Sequence, residues 1–408
     1  MKKIFIIAGI IVLGFASYRK KGYLENEYIK IKWTIFKSVS QYLQKPDFEI
    51  IAEDVFPSLK FNEPISLKFF KIKDKETLFV LERGGELKKI DLIHNEAFTI
   101  LNLKNIVSQD LLKGAIDFTF SVTKNTSLLF LTYSKKVKKI NHLIVSSFPV
   151  SDFNKNIQLS SENIILDIES KDHQGGTVEF GKDGFLYISI GDGEDTDPKN
   201  NAQDLSKLNG KILRIDIQNK ENLGYSIPTD NPYFGNKKGY REEIYAFGFR
   251  NPFRFSIDEV NNKLWVGDVG QENFEEINIV RKGGNYGWKI MEGDSCLNSQ
   301  SGSQNQILQG PIYSYKHGIE GFSITGGQIY MGNKIPYLKG KYIYGDYVRG
   351  VIWALEFENQ KSVQNELIGQ NIGNVTAFDS DASNELYFCD MIGGKIKKIV
   401  PKKENINE

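Results

Sequence analysis

The chain has 408 residues, with 52 Lys and Arg against 51 Asp and Glu and a formal charge of +1. That length suffices for a large buried core, and the balanced charge gives no electrostatic footprint for a nucleic-acid partner. Two cysteines and four histidines exclude a dense disulfide framework and a plausible zinc cluster.

At the N-terminus Lys2 and Lys3 precede an apolar run from Ile4 to Ala16. The run is short for a bilayer span, so residues 1–17 read as a secretory signal. Arg19, Lys20 and Lys21 just beyond it leave an uncleaved membrane anchor open. The chain is therefore expected to be exported, to the periplasm or outside the cell, with any membrane contact confined to this segment. Residues 18–45 carry Trp33, Ile35, Phe36, Val39 and Tyr42 at helix-like spacing and are predicted to form a helical lead-in. Residues 46–402 read as one domain, because Pro is sparse and no linker divides them.

Within that domain a polar turn followed by a short apolar strand recurs. It is found at Leu78-Phe79-Val80, Leu129-Phe130-Leu131 and Leu186-Tyr187-Ile188, and again at Leu264-Trp265-Val266, Tyr342-Ile343-Tyr344 and Leu386-Tyr387-Phe388. A second strand follows a Gly in several copies, as at Gly85 to Ile90, Gly350 to Trp353 and Gly394 to Ile399. Strand, tight turn and strand at this spacing predict four-stranded antiparallel blades, which must stack radially to bury their faces and edges. The expected fold is all-β: a six-bladed β-propeller. Wider intervals before the third and fourth copies predict long loops on one rim.

Three loops carry chemistry. Asp172-His173-Gln174-Gly175-Gly176 leads through Phe180-Gly181-Lys182-Asp183-Gly184 into Gly191-Asp192-Gly193. Imidazole is a natural base near neutral pH when a carboxylate orients it; on spacing alone, a turn residue bonded to Asp172 is the plainer reading of His173. Gly248-Phe249-Arg250-Asn251-Pro252 sets a fixed cation and an amide before a rigid turn, suited to a carbonyl or carboxylate, or simply to capping a loop. Gly267-Asp268-Val269-Gly270-Gln271-Glu272 runs on to Glu275-Glu276-Ile277-Asn278 and Gly283-Gly284-Asn285-Tyr286-Gly287-Trp288. Carboxylates beside exposed backbone carbonyls suit Ca²⁺, and a solvated acidic turn is the plainer alternative. Whether Cys296 and Cys389 pair is not decided by spacing.

Taken together, these segments resemble the glucose/sorbosone dehydrogenase family, which includes soluble aldose dehydrogenases using pyrroloquinoline quinone (PQQ). The similarity runs on through Thr325-Gly326-Gly327 and Gly340-Lys341-Tyr342-Ile343-Tyr344-Gly345-Asp346 and covers about residues 60–400. The resemblance implies a six-bladed propeller that oxidises the C1 hydroxyl of an aldose to a lactone. In it His173 would be the base, with Asp172 and Asp192 shaping its surroundings. Arg250 would polarise the quinone and Asn251 would lie beside it. Gly270 and Gln271 match the loop that contacts calcium through its carbonyls, and Glu276 and Tyr286 match a second calcium site. The implied partners are a small aldose and an external electron acceptor.

Three departures from the family pattern stand out. Val348 occupies the place of a quinone-binding Lys, Asn371-Ile372-Gly373-Asn374-Val375 lacks a pair of Arg residues, and a Gln is not aligned at Leu112-Lys113-Gly114, although Gln109 lies nearby. Lys316-His317 and Arg349 are candidate substitutes for the missing charge. The hedgehog-interacting proteins resemble the same family, so a calcium-stabilised propeller that binds a protein or carbohydrate is the competing expectation. A hydrolase is disfavoured, since neither a Gly-x-Ser-x-Gly elbow nor a His-Glu-x-x-His helix occurs.

Overall fold

The computed structural model describes residues 48–402, apart from 111–112, 123–126, 219–223, 259, 298–306, 319 and 359–360. All of them belong to one compact unit, Pro46–Glu408. The predicted signal and helical lead-in lie outside the described residues.

Among the described residues this unit holds six four-stranded antiparallel sheets and one two-stranded sheet; each larger sheet runs its strands in sequence order from the innermost outward, the last being closed by an N-terminal strand. Blade 1 comprises Pro64–Ile72, Lys75–Glu82, Glu86–Asp91 and Glu96–Asn102, and blade 2 Ala115–Val122, Ser127–Val137, Ile140–Pro149 and Asn163–Glu169. Blade 3 comprises Gly175–Phe180, Leu186–Ile190, Lys211–Ile215 and Ile244–Phe247, and blade 4 Pro252–Asp258, Lys263–Asp268, Phe274–Val280 and Tyr313–Lys316. Blade 5 comprises Ile324–Ile329, Tyr342–Asp346, Val351–Glu358 and Lys361–Gln370. Blade 6 takes Val375–Ser380, Leu386–Asp390 and Lys395–Pro401 from the C-terminal end, and Ile50–Asp54 pairs on as its outermost strand. Pairing the two ends of the domain in one sheet closes the ring and removes its free seam.

All six recurring apolar triplets fall in the second strand of a blade, where both faces pack against neighbouring blades. Leu78, Leu129, Leu186, Leu264, Tyr342 and Leu386 are all buried. Two long connections, 191–210 and 216–243 in blade 3, fall before the fourth copy as expected, whereas 281–312 in blade 4 falls before the fifth rather than the third. Antiparallel order sends the first two to opposite rims, so the loops are not gathered on one. Cys296 is exposed and Cys389 buried, and both are free thiols.

The start of every innermost strand carries a register shift: Pro64/Ser66, Ala115/Asp117, Gly175/Val178, Pro252/Arg254, Ile324/Gly326 and Val375/Phe378. A bulge leaves backbone groups outside the ladder, and here side chains from other blades satisfy them. Thr177 donates to the Phe253 carbonyl, Thr325 to Val375 and Thr376 to Pro64, linking blades 3 to 4, 5 to 6 and 6 to 1.

An axial cavity of about 1010 Å³ opens at the far ends of the innermost strands, lined by Lys68, Asp117, Glu179, Arg254, Gln328 and Asp379. Lys68 pairs with Glu179. Burial pushes Asp379 up to about 7, against the nearby Lys68 and the Phe69 N–H. A carboxyl raised in the fold adds stability below its usual range, and that contribution is lost as pH rises through 7. Asp379→Asn is therefore expected to melt a few degrees above the wild type at pH 8.5 and no higher at pH 5. Parallel melting curves at both pH values check this.

Candidate active site

Each blade's innermost strand is entered from the same rim, opposite the axial cavity, and His173 and Arg250 both stand two residues before such a strand. The His173 loop is tied down by Gly193 N–H on the His173 carbonyl (3.1 Å), and Gly191 leaves no room for a Cβ, which would lie 2.5 Å from that same carbonyl oxygen. This close approach brings Asp192 beneath the ring.

His173 Nδ1 lies 2.8 Å from Asp192 Oδ1, and Nε2 lies 2.7 Å from Arg250 Nη2. Since the guanidinium can only donate, Nε2 must be an acceptor, and the ring proton sits on Nδ1 facing Asp192. The lone pair a base needs is thereby held on the rim-facing nitrogen. Asp192 is fully buried, accepts the Trp288 indole N–H at 2.8 Å on Oδ2 and takes the Glu194 N–H on Oδ1. Arg250 is aimed by two further bonds, Nε to Gln271 Oε1 (2.8 Å) and Nη1 to the Val269 carbonyl (2.7 Å), with its guanidinium 5.7 Å from the Trp288 ring centroid.

The expected residues divide into several roles. Asp172 is exposed and pairs with Lys113 at 3.8 Å, so the buried carboxylate that orients the imidazole is Asp192. Asp172 still lies at the mouth: its carboxylate, that of Asp195 and a His173 ring nitrogen lie within 4.8 Å of one another. Asn251 braces the scaffold, its Oδ1 accepting from Gly175 N–H at 3.0 Å and its own N–H donating to Asp268 at 2.7 Å. Gln109 turns its amide to the carbonyls of Lys104 and Val107 in its own loop. Val348 is half-buried, and His317, next to Lys316, is bound to buried Glu275 at 2.6 Å.

Glu292, absent from the sequence reading, shapes the Gly270–Gln271 loop. One of its oxygens accepts the backbone N–H of Gln271, Glu272, Asn273 and Phe274 at 2.8–3.2 Å. Burial alone would raise this carboxyl, but those donors hold it below its usual range. With the N–H groups drawn to Glu292, the Gly270 and Gln271 carbonyls accept no hydrogen bond from any described residue. Two bare carbonyls beside Arg250 fit a hard oxygen-seeking cation.

Glu276 sits opposite Asp268 across two strands, and both are buried. Burial raises both carboxyls, Glu276 to about 7, and the Glu276 charge pushes Asp268 higher still. Asn278, which donates to Glu276 at 3.0 Å, leaves its Oδ1 buried without a partner. Two strained carboxyls and an orphan oxygen are what a bound cation would relieve. The Tyr286 phenol does not join them. It donates to the Ile279 carbonyl and accepts from Arg281 N–H while its ring stacks on Phe249, which leaves only its backbone oxygen for a metal.

A model of the family described as glucose/sorbosone dehydrogenase matches residues 61–396. HIPL1 protein of Arabidopsis thaliana is 37% identical over 207 residues, 45% of this chain and 29% of that protein. Aldose sugar dehydrogenase YliI of Escherichia coli is 28% identical over 248 residues, 58% of this chain and 62% of that protein. Human hedgehog-interacting protein is 26% identical over 369 residues, 80% of this chain and 50% of that protein. The matches thus span less than two thirds of each relative. The solved apo-form structure of the soluble aldose sugar dehydrogenase from E. coli superposes with a TM-score of 0.71 at 22% identity, over 88% of this chain and all of that one, and is similar in fold.

Proposed function

Because the chain belongs to the glucose/sorbosone dehydrogenase family, we propose that it is an exported quinone-dependent oxidoreductase that converts an aldose to its lactone at the His173 rim. The observation that carries this reading is the fixed tautomer of His173, with Asp192 on Nδ1 and the lone pair of Nε2 directed to Arg250.

An aldose would place its C1 hydroxyl against Nε2, displacing Arg250 Nη2 from that atom. Nε2 then takes the hydroxyl proton, and the imidazolium is stabilised by Asp192, itself held by Trp288 and Glu194. Arg250, freed at Nη2 but still tied to Gln271 and Val269, is placed to donate to an oxygen on which negative charge develops. PQQ, when bound, would supply the two-electron acceptor for the C1 hydride. The cofactor class is supported by a solved structure of similar fold, the PQQ-bound form of aldose sugar dehydrogenase from Streptomyces coelicolor. The Gly270 and Gln271 carbonyls would hold a Ca²⁺ there, and Glu276 with Asp268 a second, structural one.

Reconstitution tests the reading. Purified protein mixed with PQQ and Ca²⁺ should reduce an artificial acceptor dye when given aldoses, whereas inertness toward every aldose despite bound quinone would sink it. The second Ca²⁺ makes a separate prediction. Chelation should lower the melting temperature by several degrees, and Glu276→Gln should abolish that dependence. A melt indifferent to chelator would remove calcium from the account. The likeness to hedgehog-interacting protein keeps a binding module as the second reading, favoured if Ca²⁺ stabilises the fold but no quinone binds.

A further inference from the structure

The rim is built from six equivalent positions, each two residues before an innermost strand. In blades 1 to 6 these hold Asn62, Lys113, His173, Arg250, Phe322 and Gly373. Two cations therefore flank the imidazole from the blades on either side of it, while the other three positions are uncharged. Resting on the quinone reading above, we infer that Lys113 is a binding residue for a carboxylate of the quinone, in place of the cations missing at Val348 and 371–375.

Lys113 is held where such a role needs it. Arg83 Nη1 donates to its carbonyl at 2.7 Å, and Arg83 is itself clamped by Glu63 at 2.6 Å. Gly114 follows at φ +130°, with the Arg83 carbonyl oxygen 2.3 Å from where a Cβ would stand, so the turn that presents Lys113 is tightly packed. The ammonium donates to the Asp172 carbonyl at 2.6 Å, next in the chain to His173, and its side chain is only 10% exposed. The Asp172 carboxylate stays at 3.8 Å, beyond hydrogen-bond reach, so a three-donor group has donors to spare. Burial lowers the Lys113 pKa despite nearby Asp172 and Asp110, the mark of a cation short of compensating charge. Arg250 already commits three of its five N–H donors, to Gln271, Val269 and His173. PQQ carries three carboxylates, and a charge-assisted bond to one of them would complete the coordination of Lys113.

The test is a binding measurement independent of turnover. PQQ is titrated into wild-type protein, Lys113→Met and Lys113→Arg, following quenching of tryptophan fluorescence. Lys113→Met should raise Kd about tenfold or more, and Lys113→Arg should keep it within about threefold of wild type. The trimethyl ester of PQQ, titrated into wild-type protein alone, should bind at least tenfold more weakly than the free acid. Equal Kd values for wild type and Lys113→Met, or an ester that binds as tightly as the acid, overturn the role of Lys113 and leave the quinone reading standing. Wild-type protein that shows no quenching with PQQ overturns both.

Discussion

Alanine in place of His173 should lower kcat/KM for aldose oxidation by the reconstituted protein about 10³-fold while leaving Kd for PQQ within a few-fold of wild type. The size follows from what is removed. Loss of the imidazole takes away a rim nitrogen whose proton-accepting lone pair the surrounding bonds define, with Asp192 at 2.8 Å on one side and Arg250 at 2.7 Å on the other. Asp192→Asn should be nearly as damaging for a different reason. An amide in that place can donate to Nδ1, which would move the ring proton to Nε2 and hide the lone pair from substrate. Stopped-flow reduction of bound quinone by glucose resolves the chemical step from release. A His173→Ala protein reducing quinone at the wild-type rate would show that another group takes the proton.

The propeller was legible because its signal repeats. The second strand of a blade is enclosed by neighbours on both faces, so each copy needs an apolar triplet, and six copies reinforce one another where one would be ambiguous. The His173 loop was legible for a local reason instead, being a dense run of Asp, Gln and Gly. Its orienting partner was less so. Asp172 is adjacent in sequence, yet Asp192 makes the bond because Gly175 pairs with Ile190 and the hairpin folds the next strand's end back under the ring. Trp288 and Glu292 reach the rim on the 281–312 connection, which pairs Asn285 alongside Phe247 before arriving at Asp192 and Gln271. Nothing local in those residues encodes that climb. The role of Lys113 depends on equivalence between blades, which strand boundaries reveal and a residue string does not.

Arg254 presents the same difficulty in its sharpest form, and Arg254→Met should destabilise the fold by about 4 kcal/mol, read as a lower urea midpoint. In sequence it is one charge within an otherwise ordinary strand, Pro252–Asp258. In space its buried guanidinium crosses the axis from blade 4, donating to the carbonyls of Ile65, Ile116 and Thr376 at 2.7–2.9 Å. Each acceptor lies within the bulge that opens the innermost strand of blade 1, 2 or 6, where the ladder leaves carbonyls without a partner. Asp117, 3.4 Å from Nη1, balances the charge. Methionine would fill much of the volume but strand three buried carbonyls and a carboxylate near the centre of the ring. Lysine should recover little, because one ammonium cannot reproduce a planar fork that reaches three blades at once. The same substitution should leave His173 with Asp192 and Arg250 intact, so quinone affinity at low temperature should survive while the midpoint falls. An unchanged midpoint for Arg254→Met would mean that the bulge carbonyls find water in the axial cavity and that the blades need no central tie.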